Sequence, residues 1–340
     1  MRDTDVMDVA VIGGGSWGTA LARLLAREGV RTTIWAMEPE VAESITVERE
    51  NSLFLPGIEL PESLRATNDL DEAAADATVI VSAVPTQHIR ATFAGNQHLF
   101  ERAGVLVSVS KGIEVETLQT PAQILRDVAP ARLADRIVAL SGPSFAREVG
   151  VDHPAAVVAA GSSIEPAREV RDLFNTSSFR VYSSDDIVSA ELGGALKNVI
   201  AIAAGMSYGL GFAQNSMAAL ITRGLAEIMR AGAAMGGDPA TFAGLSGMGD
   251  LVLTCSGDLS RNRGVGLEIG RGRSLTEVLD EMNMVAEGVK TTLAARRLAQ
   301  ELGVTMPIVE EVYLTLYEDK HPREALAHLM GRAPRDERNG

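Results

Sequence analysis

The sequence predicts an α/β protein in which a doubly wound sheet is followed by an all-α C-terminal domain. Three observations carry that expectation. A glycine-rich turn sits between an apolar strand pattern and an amphipathic helix near the N-terminus, further apolar runs of strand length alternate with helix-length segments, and the strand pattern stops at about Asp186. At 340 residues the chain exceeds the roughly 250–300 that a single core usually serves, so two domains are expected, 1–186 and 187–340.

The first strand is Asp8-Val-Ala-Val-Ile12, followed by Gly13-Gly-Gly-Ser-Trp-Gly18, after which Trp17, Leu21, Leu24 and Leu25 keep helical spacing to a stop at Gly29. Gly13-x-Gly15-x-x-Gly18 therefore stands where a dinucleotide fingerprint requires it. Gly13 serves the turn, Gly15 the approach of backbone to pyrophosphate, and Gly18 the packing of helix on strand. The sheet is accordingly expected to be Rossmann-type, with the helix N-terminus donating N–H groups to the anion. The next strand, Thr32–Trp35, ends where a dinucleotide presents its adenosine ribose; Glu38 follows three residues later with no Arg or Lys before Arg49, which leans towards NAD over NADP. Asn51–Pro61, with two prolines and Gly57, reads as a loop or lid.

Ala77–Val84, Gly104–Val109 and Arg136–Leu140 have the near-continuous apolar character of buried parallel strands. Two of them run into Ser110-Lys111-Gly112 and Ser141-Gly-Pro-Ser-Phe-Ala146, and ligands of doubly wound sheets bind beyond strand C-termini, which aims Lys111 at the cleft. Ala155–Ala160 and Phe179–Tyr182 are the last strand-like runs.

In the second half, Glu191–Gly205 reads as a helix with Leu192, Leu196, Val199, Ile200 and Ala203 on its apolar face. Lys197 lies beside Gly193 and Gly194, four and three residues earlier on the same face. Two interior glycines imply close approach, by a small ligand or by another element with the lysine snorkelling to water; the sequence leaves both open. Asn198–Thr222 carries no charge and is long enough for a membrane span of about 20 residues. Ser207, Gly209, Gly211, Gln214, Asn215 and Ser216 interrupt it, so two buried helices joined by a glycine-rich turn are expected instead. Further helices are expected over Ser216–Met235, from Asp238-Pro239, after the capping-box spacing Ser274-Leu-Thr-Glu277, and over Thr291–Leu302, Pro307–Tyr317 and Pro322–Met330, with Ala333–Gly340 fraying. Ser246–Leu251 reads as a loop carrying Asp250. Ser260 can cap a helix whose first turn holds Arg261 and Asn262, a combination suited to phosphate.

The formal charge of −14 argues against a general binder of nucleic acid or anionic membrane. Cys255 is the single cysteine, which excludes an intramolecular disulfide or a cysteine-rich metal site and fits a reducing compartment. Asp3, Asp5 and Asp8 stand ahead of the short apolar run of the first strand, where a secretory signal would place basic residues and a long apolar run, so a cytoplasmic protein is expected.

Six segments in order, Gly13–Ala22, Ser110–Glu114, Ser141–Ala146, Glu191–Val199, Gly249–Leu251 and Ser260–Asn262, closely resemble the motif set of bacterial-type NAD(P)-dependent glycerol-3-phosphate dehydrogenase. The resemblance spans almost the whole chain. It implies an oxidoreductase that interconverts dihydroxyacetone phosphate and sn-glycerol 3-phosphate with NAD or NADP, the product feeding phospholipid synthesis. By the same resemblance Lys197 is the proton-transfer group, while Lys111, Gly142, Ser144, Lys197, Asp250, Ser260, Arg261 and Asn262 contact substrate. Gly13, Gly15, Ser16, Trp17, Gly18, Met37, Lys111, Ala146, Arg261, Val285 and Glu287 line the cofactor; Met37 departs from the polar, basic or aromatic residue that family members often carry there. The implied partner is a small-molecule substrate, with no metal, no nucleic acid, no membrane span and a homodimer left open. The alternatives are another hydroxy-acid dehydrogenase built from a Rossmann-type and a helical domain, and a dinucleotide-sensing protein without catalysis.

Overall fold

The computed structural model describes residues 7–282, 284–334 and 336. Asp3, Asp5 and most of the segment expected to fray at the C-terminus lie outside the described residues.

Among the described residues eight strands form one sheet: β1 (Asp8–Ile12), β2 (Arg31–Trp35), β3 (Arg65–Thr67), β4 (Val79–Ser82), β5 (Val105–Ser108), β6 (Ile137–Ser141), β7 (Ala155–Gly161) and β8 (Phe179–Ser184). Their order is β3-β2-β1-β4-β5-β6-β7-β8, all neighbours parallel except β6 and β7. Alternate side chains along β1 serve opposite faces, as strand geometry requires. Val9 and Val11 pack with Leu21 and Leu25 of helix Ser16–Arg27, whereas Ala10 and Ile12 pack with Ile89, Phe93 and Ile124 on the other face. The sheet is thus wound on both sides. The order reverses between β1 and β4, and the Gly13–Gly18 turn leaves the sheet at that switch point.

Strand β3 was not foreseen; three residues without an apolar run give no pattern to read. The Asn51–Pro61 segment is a loop, as the sequence indicated, with one isolated bridge between Asn51 and Leu55. It is packed down, since buried Asn51 donates through Nδ2 to Gly14 O at 2.7 Å and Thr19 Oγ1 at 2.8 Å, and Leu55, Ile58 and Leu60 are buried.

After Ser184 all described elements are helical. Helix Ile187–Gly209 is the core of this half, its buried face shared with Gln214–Ala234, Arg261–Gly270, Glu287–Leu302 and Pro307–Tyr317. It is long and apolar enough to cross a bilayer, but 89% of its most apolar window is buried inside the protein, where it serves as a core helix. It meets helix Arg261–Gly270 almost backbone to backbone. A Cβ on Gly205 would land on Arg263 O and Leu267 N, and one on Gly266 would land on Ile202 O. The expected caps are present: Ser274 and Glu277 form the capping box, and Ser260 Oγ accepts from Arg263 N at 3.2 Å.

Candidate active site

The three fingerprint glycines have three different surroundings. Gly13 has φ +125°, and a Cβ there would sit 2.7 Å from Ala83 O on the neighbouring strand exit. A Cβ on Gly18 would collide with Gly13 O, so this position lets the helix close on the turn. A Cβ on Gly15 would meet nothing within 4 Å. That open cradle lies at the N-cap of helix Ser16–Arg27, where unpaired N–H groups favour an anion, and no acidic residue occupies the first turn. Trp17 Nε1 beside it is buried without a partner. Shape and donor chemistry therefore fit a dinucleotide pyrophosphate. Met37 stands two residues beyond β2 and is 69% exposed.

Further along the same edge of the sheet, the turns after β5 and β6 present Lys111 and Gly142. Lys111 Nζ donates to Gly142 O at 3.0 Å and to Asp250 Oδ2 at 2.7 Å. Lys197 Nζ donates to the other oxygen, Asp250 Oδ1, and to Thr254 Oγ1 at 2.8 Å. One carboxylate, 1% exposed, thus bridges two ammonium groups contributed by the sheet and by the long helix. Asp250 does not sit on a loop as the sequence indicated; it is the first residue of helix Asp250–Ser256, preceded by a π-helical turn over Leu245–Gly249. The helix start aims its side chain inward and places Thr254 one turn later on the same face.

Burial lowers the Lys197 pKa to about 8; Asp250 acts against this and Lys111 reinforces it. Burial alone would raise Asp250, but Lys111 and Lys197 outweigh it and hold the carboxyl below its ordinary value. Burial pushes the neighbouring Cys255 thiol up to about 12, which keeps it protonated and inert.

Gly193 and Gly194 are explained by packing. A Cβ on Gly193 would lie 2.6 Å from Ser246 O, and one on Gly194 would lie 2.8 Å from Ser141 Oγ and 3.4 Å from Lys111 Cγ. Bare backbone lets the long helix touch both the sheet edge and the turn before Asp250, and Lys197 stays buried instead of snorkelling to water.

A chain of amides ties the Lys111 turn to the helical half. Asn198 Nδ2 donates to Lys111 O at 2.9 Å, Asn262 Nδ2 to Asn198 Oδ1 at 2.9 Å, and Gly288 N to Asn262 Oδ1 at 2.9 Å. Glu287, whose pKa burial raises, accepts from Thr86 N at 2.6 Å and Lys111 N at 3.1 Å. Arg261 lies at the exposed mouth, donating to Val285 O at 2.9 Å. Ser144 Oγ donates to Gly142 O at 3.0 Å, and Ala146 begins the next helix. The structure therefore brings Lys111, Gly142, Lys197 and Asp250 to one point. It groups Ser260, Arg261 and Asn262 at one helix start, and the fingerprint with Met37 at the other side of the switch point. Sequence reasoning missed Thr254 and Asn198. Each had a signal: Thr254 follows Asp250 by four residues and Asn198 adjoins Lys197.

With this geometry in place, comparison with known proteins gives a consistent picture. A family model described as the NAD-dependent glycerol-3-phosphate dehydrogenase N-terminus matches residues 8–167, and its C-terminal counterpart matches residues 186–327. A glycerol-3-phosphate dehydrogenase [NAD(P)+] of Geobacter sp. (strain M21) is 57% identical over 95% of this chain and 97% of its own. One from Geobacter metallireducens is 56% identical over 97% and 98%. The crystal structure of a glycerol-3-phosphate dehydrogenase from Coxiella burnetii superposes with a TM-score of 0.90 at 34% identity, covering 96% of this chain and 99% of that one.

Proposed function

The chain belongs to the NAD-dependent glycerol-3-phosphate dehydrogenase family, and from that premise we propose how its own residues carry out the reaction. The enzyme reduces dihydroxyacetone phosphate to sn-glycerol 3-phosphate with NAD(P)H, and runs the reverse oxidation with NAD(P)+. The nicotinamide, when bound, supplies or accepts the hydride. What the protein must add is a proton for the oxygen that becomes negative as the carbonyl carbon is reduced.

Lys197 is the proton donor in reduction and the proton acceptor in oxidation. The observation that carries this is its placement: buried, opposite the Lys111 turn, with its pKa brought down to about 8. An unperturbed lysine, at about 10.4, is a poor base near neutrality, whereas a group near 8 can exchange a proton in both directions. Asp250 aims the ammonium, and Lys111 adds positive charge beside the developing alkoxide. Gly142, Ser144, Ser260, Arg261 and Asn262 complete the substrate site. The Arg261 guanidinium and the N-terminus of helix Arg261–Gly270 are suited to the phosphate, so binding energy remote from the reacting carbon helps orient the carbonyl. Gly13, Gly15, Ser16, Trp17, Gly18, Met37, Ala146, Val285 and Glu287 belong to the dinucleotide side. Cytoplasmic residence belongs to the same proposal, supported by a free, buried Cys255.

The deciding experiment is Lys197→Ala assayed with dihydroxyacetone phosphate. We expect kcat to fall by about 10²- to 10⁴-fold, the usual contribution of a positioned proton donor. NADH affinity should stay near the wild-type value. Retained kcat would remove Lys197 from the chemistry.

A further inference from the structure

The sheet and helical halves are joined in the chain by Asp185 and Asp186 between β8 and the long helix. With a single link of that kind, the angle at which Lys197 faces the β5 and β6 turns is set by the packing and hydrogen bonds between the halves. The Glu287 and Asn198 contacts to Lys111 form one anchor. A second lies six residues before Lys197. Glu191 is 6% exposed, and its carboxylate accepts from Thr120 Oγ1 at 2.5 Å and from Ala122 N at 2.8 Å. Thr120 is the N-cap of helix Pro121–Val128, and its own N–H is taken by Gln123 Oε1 at 2.9 Å. The Ala122 N–H is one of the orphan donors that a helix start leaves, and Glu191 satisfies it from the other half of the molecule. No cation among the described residues pairs with Glu191; the positive end of the capped helix is its counter-charge. A carboxyl group this deep, held by helix-start donors, tolerates little displacement because each lost hydrogen bond leaves a buried polar group unsatisfied.

We propose that Glu191 is a positioning residue for hydride transfer: it bolts the Lys197 helix to helix Pro121–Val128 of the sheet half and so fixes Lys197, with the substrate held beside it, relative to the dinucleotide fingerprint. Glu191 reaches a different element of the sheet half from the Lys111 turn, where Asp250, Asn198 and Glu287 already make contact. The fingerprint grips the dinucleotide pyrophosphate on the sheet half, with Val285 and Glu287 on the helical side, so loosening the bolt displaces the proton donor from the nicotinamide while the pyrophosphate grip stays in place.

This rests on Lys197 being the proton-transfer group, so Lys197→Ala is measured alongside; full activity there overturns that reading and this proposal with it, whatever Glu191 does. With Lys197 established, Glu191→Ala should lower kcat for ketone reduction by about 10- to 100-fold, the effect of a misplacement of about 1 Å. The NADH Kd from fluorescence titration should be unchanged. The isotope effect on kcat with NADH deuterated at the transferred position should grow, because the chemical step has become slower. Glu191→Gln should restore kcat, since its Oε1 can accept from Ala122 N–H while its Nε2 donates to Thr120 Oγ1. The proposal is overturned by wild-type kcat in Glu191→Ala, by parallel loss of kcat and NADH affinity, or by a Gln variant no better than Ala. If Glu191→Ala does not fold, Thr120→Val, which removes one of the two donors, should give a smaller fall in kcat at unchanged NADH Kd; unchanged kcat there refutes the idea.

Discussion

Asp250→Asn removes the one negative charge between Lys111 and Lys197 while keeping the shape of the side chain. In the wild type, burial holds Lys197 down at about 8, Asp250 pulls the other way and Lys111 adds to the lowering. Without the carboxylate the chief raising influence is gone, Cys255 being the smaller one left, and the pKa of Lys197 falls. Two unit charges about 3 Å apart interact by about 5.5 kcal/mol at an effective dielectric constant of about 20. That gross figure is a ceiling, equivalent to about four pK units at 1.36 kcal/mol each, and a quarter of it brings the lysine to neutrality. At pH 7 a group with a pKa near 8 is protonated about ten to one, and a fall of one unit leaves about half of the molecules holding the proton. Reduction requires that proton, so each such fall lowers kcat at pH 7, by about twofold for the first unit, and lost aim lowers it further. The alkaline limb of the reduction profile should move towards acid, by no more than about four pH units. Initial rates of NADH oxidation with saturating dihydroxyacetone phosphate between pH 6 and 9 at constant ionic strength read both. An inflection that stays in place, or moves to higher pH, refutes the charge argument.

Gly15→Ala should leave the unfolding midpoint nearly unchanged, because a Cβ there meets nothing within 4 Å, yet raise the NADH Kd by filling the cradle; unchanged affinity by titration would move the pyrophosphate elsewhere. Glu191 is raised from 4.5 to about 7 by burial, against the pull of Thr120 and Ala122. A carboxyl raised on folding contributes stability that is present below its unfolded pKa and is lost as pH rises through the folded value. The wild type should therefore lose up to about 3 kcal/mol relative to Glu191→Gln between pH 4.5 and 8. Urea unfolding of both proteins at the two ends of that window measures it, and a gap that does not change with pH would show that the carboxyl titrates normally.

Local signals carried most of the fold. The β1 pattern and the capping box at Ser274 and Glu277 involve neighbours in sequence, so residue type and spacing expose them. The short β3 strand has no such pattern, and the antiparallel pairing of β7 on β6 depends on partners more than 15 residues away. The same division runs through the candidate site. Lys197 and Lys111 stood out as cations in unusual settings, and the Ser260 cap was readable because it is local. Asp250 looked like a turn residue because glycines precede it; the helix it starts is stabilised by burial of Leu251 and Cys255, which sequence spacing does not reveal. Gly193 and Gly194 showed that something approaches closely, but the identity of the neighbours, Ser246 on one side and Ser141 with Lys111 on the other, is a tertiary fact.

The near-contact of backbones at Gly205 and Gly266 has a consequence for which substrates the enzyme accepts. Helix Arg261–Gly270 begins at Ser260, Arg261 and Asn262, and helix Ile187–Gly209 carries Lys197; with no side chains between them at the crossing, the two move as one rigid piece. On the proposed roles, the distance from phosphate grip to proton donor is then set inside that piece. It acts as a ruler for chain length, graduated for a phosphate and a carbonyl separated by one methylene carbon. Longer phosphorylated ketones would be rejected by span, whatever room the cleft offers them.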